Sequence, residues 1–143
     1  LAWDQRHTLN ISASYNRTNW GVSTIAQYGS GSPYTPRRSQ DISTLLTNSQ
    51  TKPEFFNVDA RAYYEIPLDP LKLVAFVRVF NLFDFRNESN VFDDTGRAGF
   101  TTDYEKALSE RTLQRVNTVE QFFTRPTNYS EPRRLEFGMN LEF

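Results

Sequence analysis

From His7 the odd positions read His7, Leu9, Ile11, Ala13 and Tyr15, and the even ones Thr8, Asn10, Ser12 and Ser14. Alternation with period two puts successive side chains on opposite faces of a β-strand. Asn16 to Asn19 suit a tight turn, after which the parity reverses. Trp20, Val22, Thr24, Ala26 and Tyr28 then share a face, opposite Gly21, Ser23, Ile25 and Gln27. If Tyr15 faces Trp20 across the turn, the two apolar faces coincide, as a hairpin requires.

Gly29-Ser30-Gly31-Ser32-Pro33 interrupts the pattern, and polar residues continue to about Lys52. A third strand carries Phe56, Val58, Ala60, Ala62, Tyr64 and Ile66 opposite Asn57, Asp59, Arg61 and Glu65. Pro67 to Pro70 turns the chain into a fourth strand, apolar on both faces, whose second side needs a bulky cover. If Glu65 faces Lys72 there, Asp59 faces Arg78. Beyond Asp93 the alternation stops. Thr102-Asp103-Tyr104-Glu105 has the form of a capping box, and Tyr104, Ala107, Leu108, Val116 and Val119 have partial helical spacing, so one helix is expected. The final stretch, "RRLEFGMNLEF", alternates without a fault and stops on an aromatic ring.

The pattern predicts an all-β, antiparallel chain with strands over about 4–16, 20–34, 54–67, 71–86 and 133–143. Short turns join them at one end and long loops, about 35–53 and 87–132, at the other. Such asymmetry is typical of transmembrane β-barrels, with short periplasmic turns and long extracellular loops. Strand length agrees, since about 9 to 11 tilted residues cross the hydrocarbon. Aromatics recur near strand ends (Tyr15, Trp20, Tyr28, Phe56, Tyr64), where a ring with a polar tip can straddle the boundary of lipid and water. Five strands cannot close a cylinder, however. An open edge in lipid leaves backbone groups unsatisfied at several kcal/mol each, so the rest of the wall must come from elsewhere. The alternative is a soluble, secreted β-rich binding or adhesion module that buries its apolar face against a partner sheet.

Composition narrows the chemistry. A length of 143 residues suits one ordinary domain, and a net charge of −1 gives no basic surface for nucleic acid. Aromatic content is 15 % while mean hydropathy is −0.62, a mixture that a greasy exterior and a polar lumen produce together. Cysteine is absent, which removes disulfides, thiolate nucleophiles and zinc–thiolate clusters. The opening residues, Leu1-Ala2-Trp3-Asp4-Gln5, lack an initiator Met or a leader and read as an interior point of a longer polypeptide. Asp94-Thr95-Gly96 has the aspartic-protease triplet, but that chemistry needs two carboxylates sharing a proton; a turn is expected there. Asp93 and Asp94 lack the regular ligand spacing of a calcium loop. His7, the sole histidine, has no second imidazole for a metal pair. No catalytic set, cofactor or metal is expected.

Taken in order, "DQRHTLN" (Asp4 to Asn10), "YGSGSPYTP" (Tyr28 to Pro36) and "FNVDARAYYEI" (Phe56 to Ile66) resemble the C-terminal part of a TonB-dependent outer-membrane receptor. The resemblance continues through "VFNLFDFRN" (Val79 to Asn87), "DDTGRAGF" (Asp93 to Phe100) and "NYSEPRRLEFGMNLEF" (Asn128 to Phe143), nearly the whole chain. It implies the last five strands of a 22-stranded barrel closed around a plug that this chain does not carry. The implied function is active uptake of a scarce or bulky nutrient, such as an iron chelate, cobalamin or a glycan, across the bacterial outer membrane. Implied partners are the remaining N-terminal barrel and plug, outer-membrane lipids and, through the plug alone, TonB.

The resemblance also assigns Glu136, Gly138, Leu141 and Phe143 to the terminal strand by which the barrel-assembly machinery recognises its clients, through pairing with a strand edge. Ligand contacts are expected on the long loops and the lumen face. Tyr34, Arg37, Arg38, Tyr104, Arg125 and Tyr129 offer aromatic faces and guanidinium forks, as do Phe122 and Phe123 by their rings. Asp59 and Arg78 are the expected charge pair of the lumen.

Overall fold

The computed structural model describes residues 3–37, 47–109 and 118–143; Arg38 and Val116 of the sequence reading lie outside them. In chain order the strands are β1 (Thr8–Asn16), β2 (Trp20–Gly29), β3 (Pro33–Tyr34), β4 (Gln50–Thr51), β5 (Phe55–Leu68), β6 (Leu71–Phe80) and β7 (Arg134–Glu142). Helices α1 (Thr102–Ser109) and α2 (Val119–Phe123) lie between β6 and β7. The chain is mostly β and divides into two compact units where the sequence suggested one wall with loops. Thr8–Tyr28, Phe56–Arg86 and Glu131–Phe143 form a sheet unit; Leu1–His7, Gly29–Phe55 and Asn87–Ser130 form a loop unit.

The sheet unit is antiparallel, five-stranded, in the order β1-β2-β5-β6-β7. Two expected strands end early. β2 stops at Gly29, and Pro33–Tyr34 instead pairs with Gln50–Thr51 in a separate ribbon, Pro33 opposite Thr51. β6 stops at Phe80 because Asn81 takes a left-handed conformation, φ 52°. Such a backbone cannot continue a strand.

The expected register of β5 and β6 is corrected. Leu68 pairs with Leu71, so the turn is the two residues Asp69 and Pro70, joined by a cis peptide bond. Against the expected four-residue turn, β5 gains Pro67 and Leu68 while β6 still starts at Leu71. Arg61 therefore faces Arg78, and Pro67 faces Lys72. Asp59 is not opposite Arg78 but one step along the diagonal. Glu65 and Lys72 still meet diagonally, at 3.4 Å. A relative shift of two residues preserves every face assignment, since the pleat has period two. At the first hairpin the Arg17 N–H bonds the Trp20 carbonyl at 2.8 Å. That turn is thus tighter than Asn16 to Asn19, and Trp20 stands opposite Arg17 rather than the expected Tyr15, although the Tyr15 and Trp20 rings still meet, with centroids 5.7 Å apart.

The sheet has one apolar and one polar face. Apolar positions of β5, β6 and β7 pair with one another: Ala60 with Val79, Ala62 with Val77, Ala75 with Met139, and Val77 with Phe137. Nothing among the described residues of this unit covers that face. Phe137 is 77 % exposed, Met139 73 % and Phe143 fully exposed; Leu9 and Leu141 are also open, while Val58 is buried. A self-contained globule would bring Leu9, Val58 and Leu141 into one dry centre, and this sheet does not. Rings cluster at both ends of the face: Tyr15 with Trp20 by the turn, and Phe56 and Phe83 on Phe85 by the loops.

Where one helix was expected, the described residues of the loop unit carry two α-helices. α1 starts at Thr102, so Thr102 and Glu105 do not form the expected box; the Thr101 hydroxyl accepts from the Asp103 N–H instead. The capping box belongs to α2, between Thr118 and Gln121. Ala98, Thr101 and Asn128 are buried at the centre of this unit.

Candidate functional site

Two arrangements could carry function: the polar face of the sheet and the acidic cluster of the loop unit.

On the polar face β6 and β7 interlock. Lys72 faces Glu142, Phe76 faces Gly138, Arg78 faces Glu136 and Phe80 faces Arg134. Lys72 bridges Glu142 at 2.9 Å and Glu65 at 3.4 Å; Glu136 reaches Arg134 at 3.4 Å and Arg78 at 4.0 Å. Opposite charges thus form a ladder along three strands, whereas Arg61 and Arg78, directly opposed, both lean on the Phe76 ring, at 5.8 and 5.0 Å. A ring face offers negative potential to both guanidinium groups.

Two strand glycines are explained by these rings. Gly138 lies beneath Phe76 and Gly21 beneath Tyr63, whose Cε1 would sit 2.6 Å from an added Cβ. Tyr63 and Phe76 are themselves a cross-strand pair. One transverse row thus runs Gly21, Tyr63, Phe76, Gly138, with the two rings leaning apart over the outer glycines. The Tyr63 hydroxyl and the Asn16 side-chain oxygen are 3.3 Å apart. This row was hidden in the sequence, although glycine inside a strand is a sign of close approach.

Asp59 has a different partner from the expected one. Its Oδ1 accepts from the Asn81 backbone N–H and from Asn57 Nδ2, both at 2.9 Å. Asn81 in turn donates to the carbonyls of Phe85 (2.9 Å) and Glu131 (3.0 Å) and accepts from the Phe85 N–H. Asp84 accepts from the Arg133 N–H at 2.9 Å. Residues Asn81 to Asp84, "NLFD", therefore clasp the end of β6 to β5 and to the start of β7. Asx side chains bonding nearby backbone are the readable signal.

The loop unit gathers Arg37 with three carboxylates: Asp103 at 2.5 Å, Asp93 at 3.5 Å and Asp94 at 3.8 Å. The hydrogen bond to Asp103 is the main reason that the guanidinium pKa lies above its ordinary value. Burial pushes the Asp94 carboxyl up, but bonds from the Thr102 hydroxyl and N–H and the Thr101 hydroxyl outweigh it, leaving the pKa below the usual range. A carboxylate at the first turn of α1 also complements the helix dipole. The acids converge on a guanidinium, and among the described residues no acidic or histidine group is arranged to hold a metal. Glu88 takes Arg97 through a fork (2.6 to 3.2 Å) and the Ala98 N–H at 2.7 Å. Asp94-Thr95-Gly96 forms a turn, Gly96 at φ 68°, closed by a bond from the Gly96 N–H to the Phe92 carbonyl.

The expected ligand-facing residues are built into this packing. Tyr34 lies against Gly96, and Tyr129 bridges Glu88 and approaches Gly99. Arg125 stands over the Phe92 ring at 5.2 Å. Tyr104 meets Phe123 edge-on at 6.0 Å, and Phe123 meets Phe122. The terminal-strand residues divide by face: Glu136 and Gly138 on the polar side, Leu141 on the apolar side, and Phe143 just past the end of β7. Compared with protein-family models, curated proteins and solved structures, the chain matches none.

Proposed function

We propose that this chain is a section of transmembrane barrel wall, the C-terminal part of a TonB-dependent receptor of the bacterial outer membrane. The observation that carries the reading is the apolar face, which runs across all five strands and has no cover within the sheet unit, while β1 and β7 each pair on one side alone. A protein in water leaves few such patches; in a bilayer the same surface is the outer belt. The spacing of the aromatic clusters supports it. From Phe56 to Tyr64 the strand covers about 26 Å at roughly 3.3 Å per residue, which a tilt near 40° reduces to roughly 20 Å of height, close to the apolar band of such barrels. No described helix is long and apolar enough to cross a membrane, so the strands would be the spanning elements.

In this reading the free margins of β1 and β7 pair with the remaining strands of a 22-stranded barrel. The short turns face the periplasm, the long connections between strands are extracellular, and the ladder of charges lines the lumen beside the plug. The chain contributes wall and outer loops to uptake of a bulky nutrient and carries no catalysis of its own. TonB would reach it through the plug alone.

The test is detergent dependence of the complete receptor, followed by heat-modifiable mobility in gels. Purified protein that is monodisperse only in detergent and runs as a compact band before boiling is the expected result. A protein that stays monodisperse in plain buffer would instead favour the soluble adhesion module.

A further inference from the structure

The apolar face is not evenly greasy. Its middle is a trough of about 390 Å³, within the range of about 300 to 1,000 Å³ typical of small-molecule sites. It is floored by Ala13, Val22, Ala60, Ala62, Val77 and Val79, all small, and a second hollow beside Ala75 continues it toward Phe137. At its turn end stand Tyr15 and Trp20 with Arg17. The Arg17 guanidinium lies 5.5 Å from the Tyr15 ring centroid, and its Nε donates to the Tyr15 hydroxyl at 2.5 Å. Arg17 is exposed, and among the described ion pairs no carboxylate faces it. Tyr15 thus holds a cation, by its ring and its hydroxyl, at the end of the apolar face, where an anion at the headgroup level can meet it.

Resting on the membrane reading, we propose that this trough holds one glycerophospholipid, its phosphate on Arg17 and an acyl chain along the alanine floor. Guanidinium and phosphate make paired, charge-assisted hydrogen bonds, and the neighbouring indole and phenol suit the headgroup level. The small floor residues let a chain lie below the level of the surrounding Tyr15, Leu82 and Phe137 side chains. A bulky residue there would make the wall flat.

The test takes the complete receptor in non-ionic detergent, titrates phosphatidylglycerol and counts retained lipid by native mass spectrometry. One lipid per protein is expected. Arg17→Gln should weaken its retention about fivefold, the worth of one cation at a lipid surface, and Ala62→Phe by at least as much through filling the trough. Arg134→Gln, on the polar face, should leave it unchanged. Equal retention in wild type, Arg17→Gln and Ala62→Phe overturns the site, as does displacement of the lipid by inorganic phosphate alone. A dimer that Ala62→Phe abolishes overturns it as well, by giving the trough to a second copy. Monodisperse protein in plain buffer fails the membrane reading itself; detergent-dependent protein with no variant effect fails the lipid site only.

Discussion

The far end of the Phe76 ring stands over Gly138 of the neighbouring strand, so closely that a methyl group at 138 would be driven into it. Gly138 is also a position of the terminal strand that the assembly machinery is expected to read, and these two roles are separable. Gly138→Ala should destabilise the folded sheet by about 1 to 3 kcal/mol through overpacking, measured by urea titration. Adding Phe76→Val should recover most of that loss. If the double variant is no more stable than Gly138→Ala, the ring is not what the glycine accommodates.

Phe143 touches little of the sheet, being fully exposed. Its removal should therefore change the stability of assembled protein by no more than about 0.5 kcal/mol, while the amount inserted into the outer membrane falls sharply. Quantitative fractionation of cells checks this. Normal insertion of the truncated chain would count against a recognition role for the last residue.

Ala60 and Val77 sit in the middle of the apolar face. Lysine at either should cost about 2 to 4 kcal/mol if hydrocarbon lies there, read as a shift in the unfolding midpoint in lipid bilayers. A neutral result would place water against those positions.

Asn81 bonds two carbonyls and two backbone N–H groups lie within its network with Asp59. Asn81→Ala takes the side-chain partner from the Phe85 and Glu131 carbonyls and the Phe85 N–H, leaves the bond from the residue-81 N–H to Asp59 in place, and keeps a methyl side chain at a left-handed backbone. A loss of about 2 to 4 kcal/mol is expected, from about 1 to 3 for unsatisfied groups and the remainder for the conformation. Hydrogen exchange should show the start of β5, the end of β6 and the start of β7 opening together.

Asp94 sets a pH dependence for the loop unit. Its pKa is lower folded than unfolded, because hydrogen bonds at the start of α1 outweigh its burial. The stabilisation it gives is therefore complete above the unfolded carboxylate value of about 3.9 and is lost as pH falls through the lower folded one. Amide protection of α1 should drop across that acid range in wild type. Asp94→Asn should show weaker protection at neutral pH and lose that acid step.

Which face each residue of the sheet occupies could be read from the sequence because period two survives any register shift by an even number of residues, and β5 slides past β6 by two. Register itself could not, since it depends on whether Asp69 and Pro70 turn alone or with Pro67 and Leu68. The clasp at Asn81 and the sockets at Gly21 and Gly138 depend on what stands on the next strand, which alternation does not encode. In the loop unit, Arg37 finds Asp93, Asp94 and Asp103 far away along the chain. Its charge and fork suggested a binding group; the three acids that engage it within the unit carry no local signature.

Every strand of the five-stranded sheet lies beside the one that precedes or follows it in the sheet's own chain order, with the small ribbon set apart. Within this sheet, no strand has to cross another to reach its place. Such a wall can be laid down like planking, each new board finding its mate already fixed, and it can begin from the margin formed by β7. The longest excursion, between β6 and β7, is then the step that closes the largest loop, and the clasp at Asn81 stands where that excursion departs and returns.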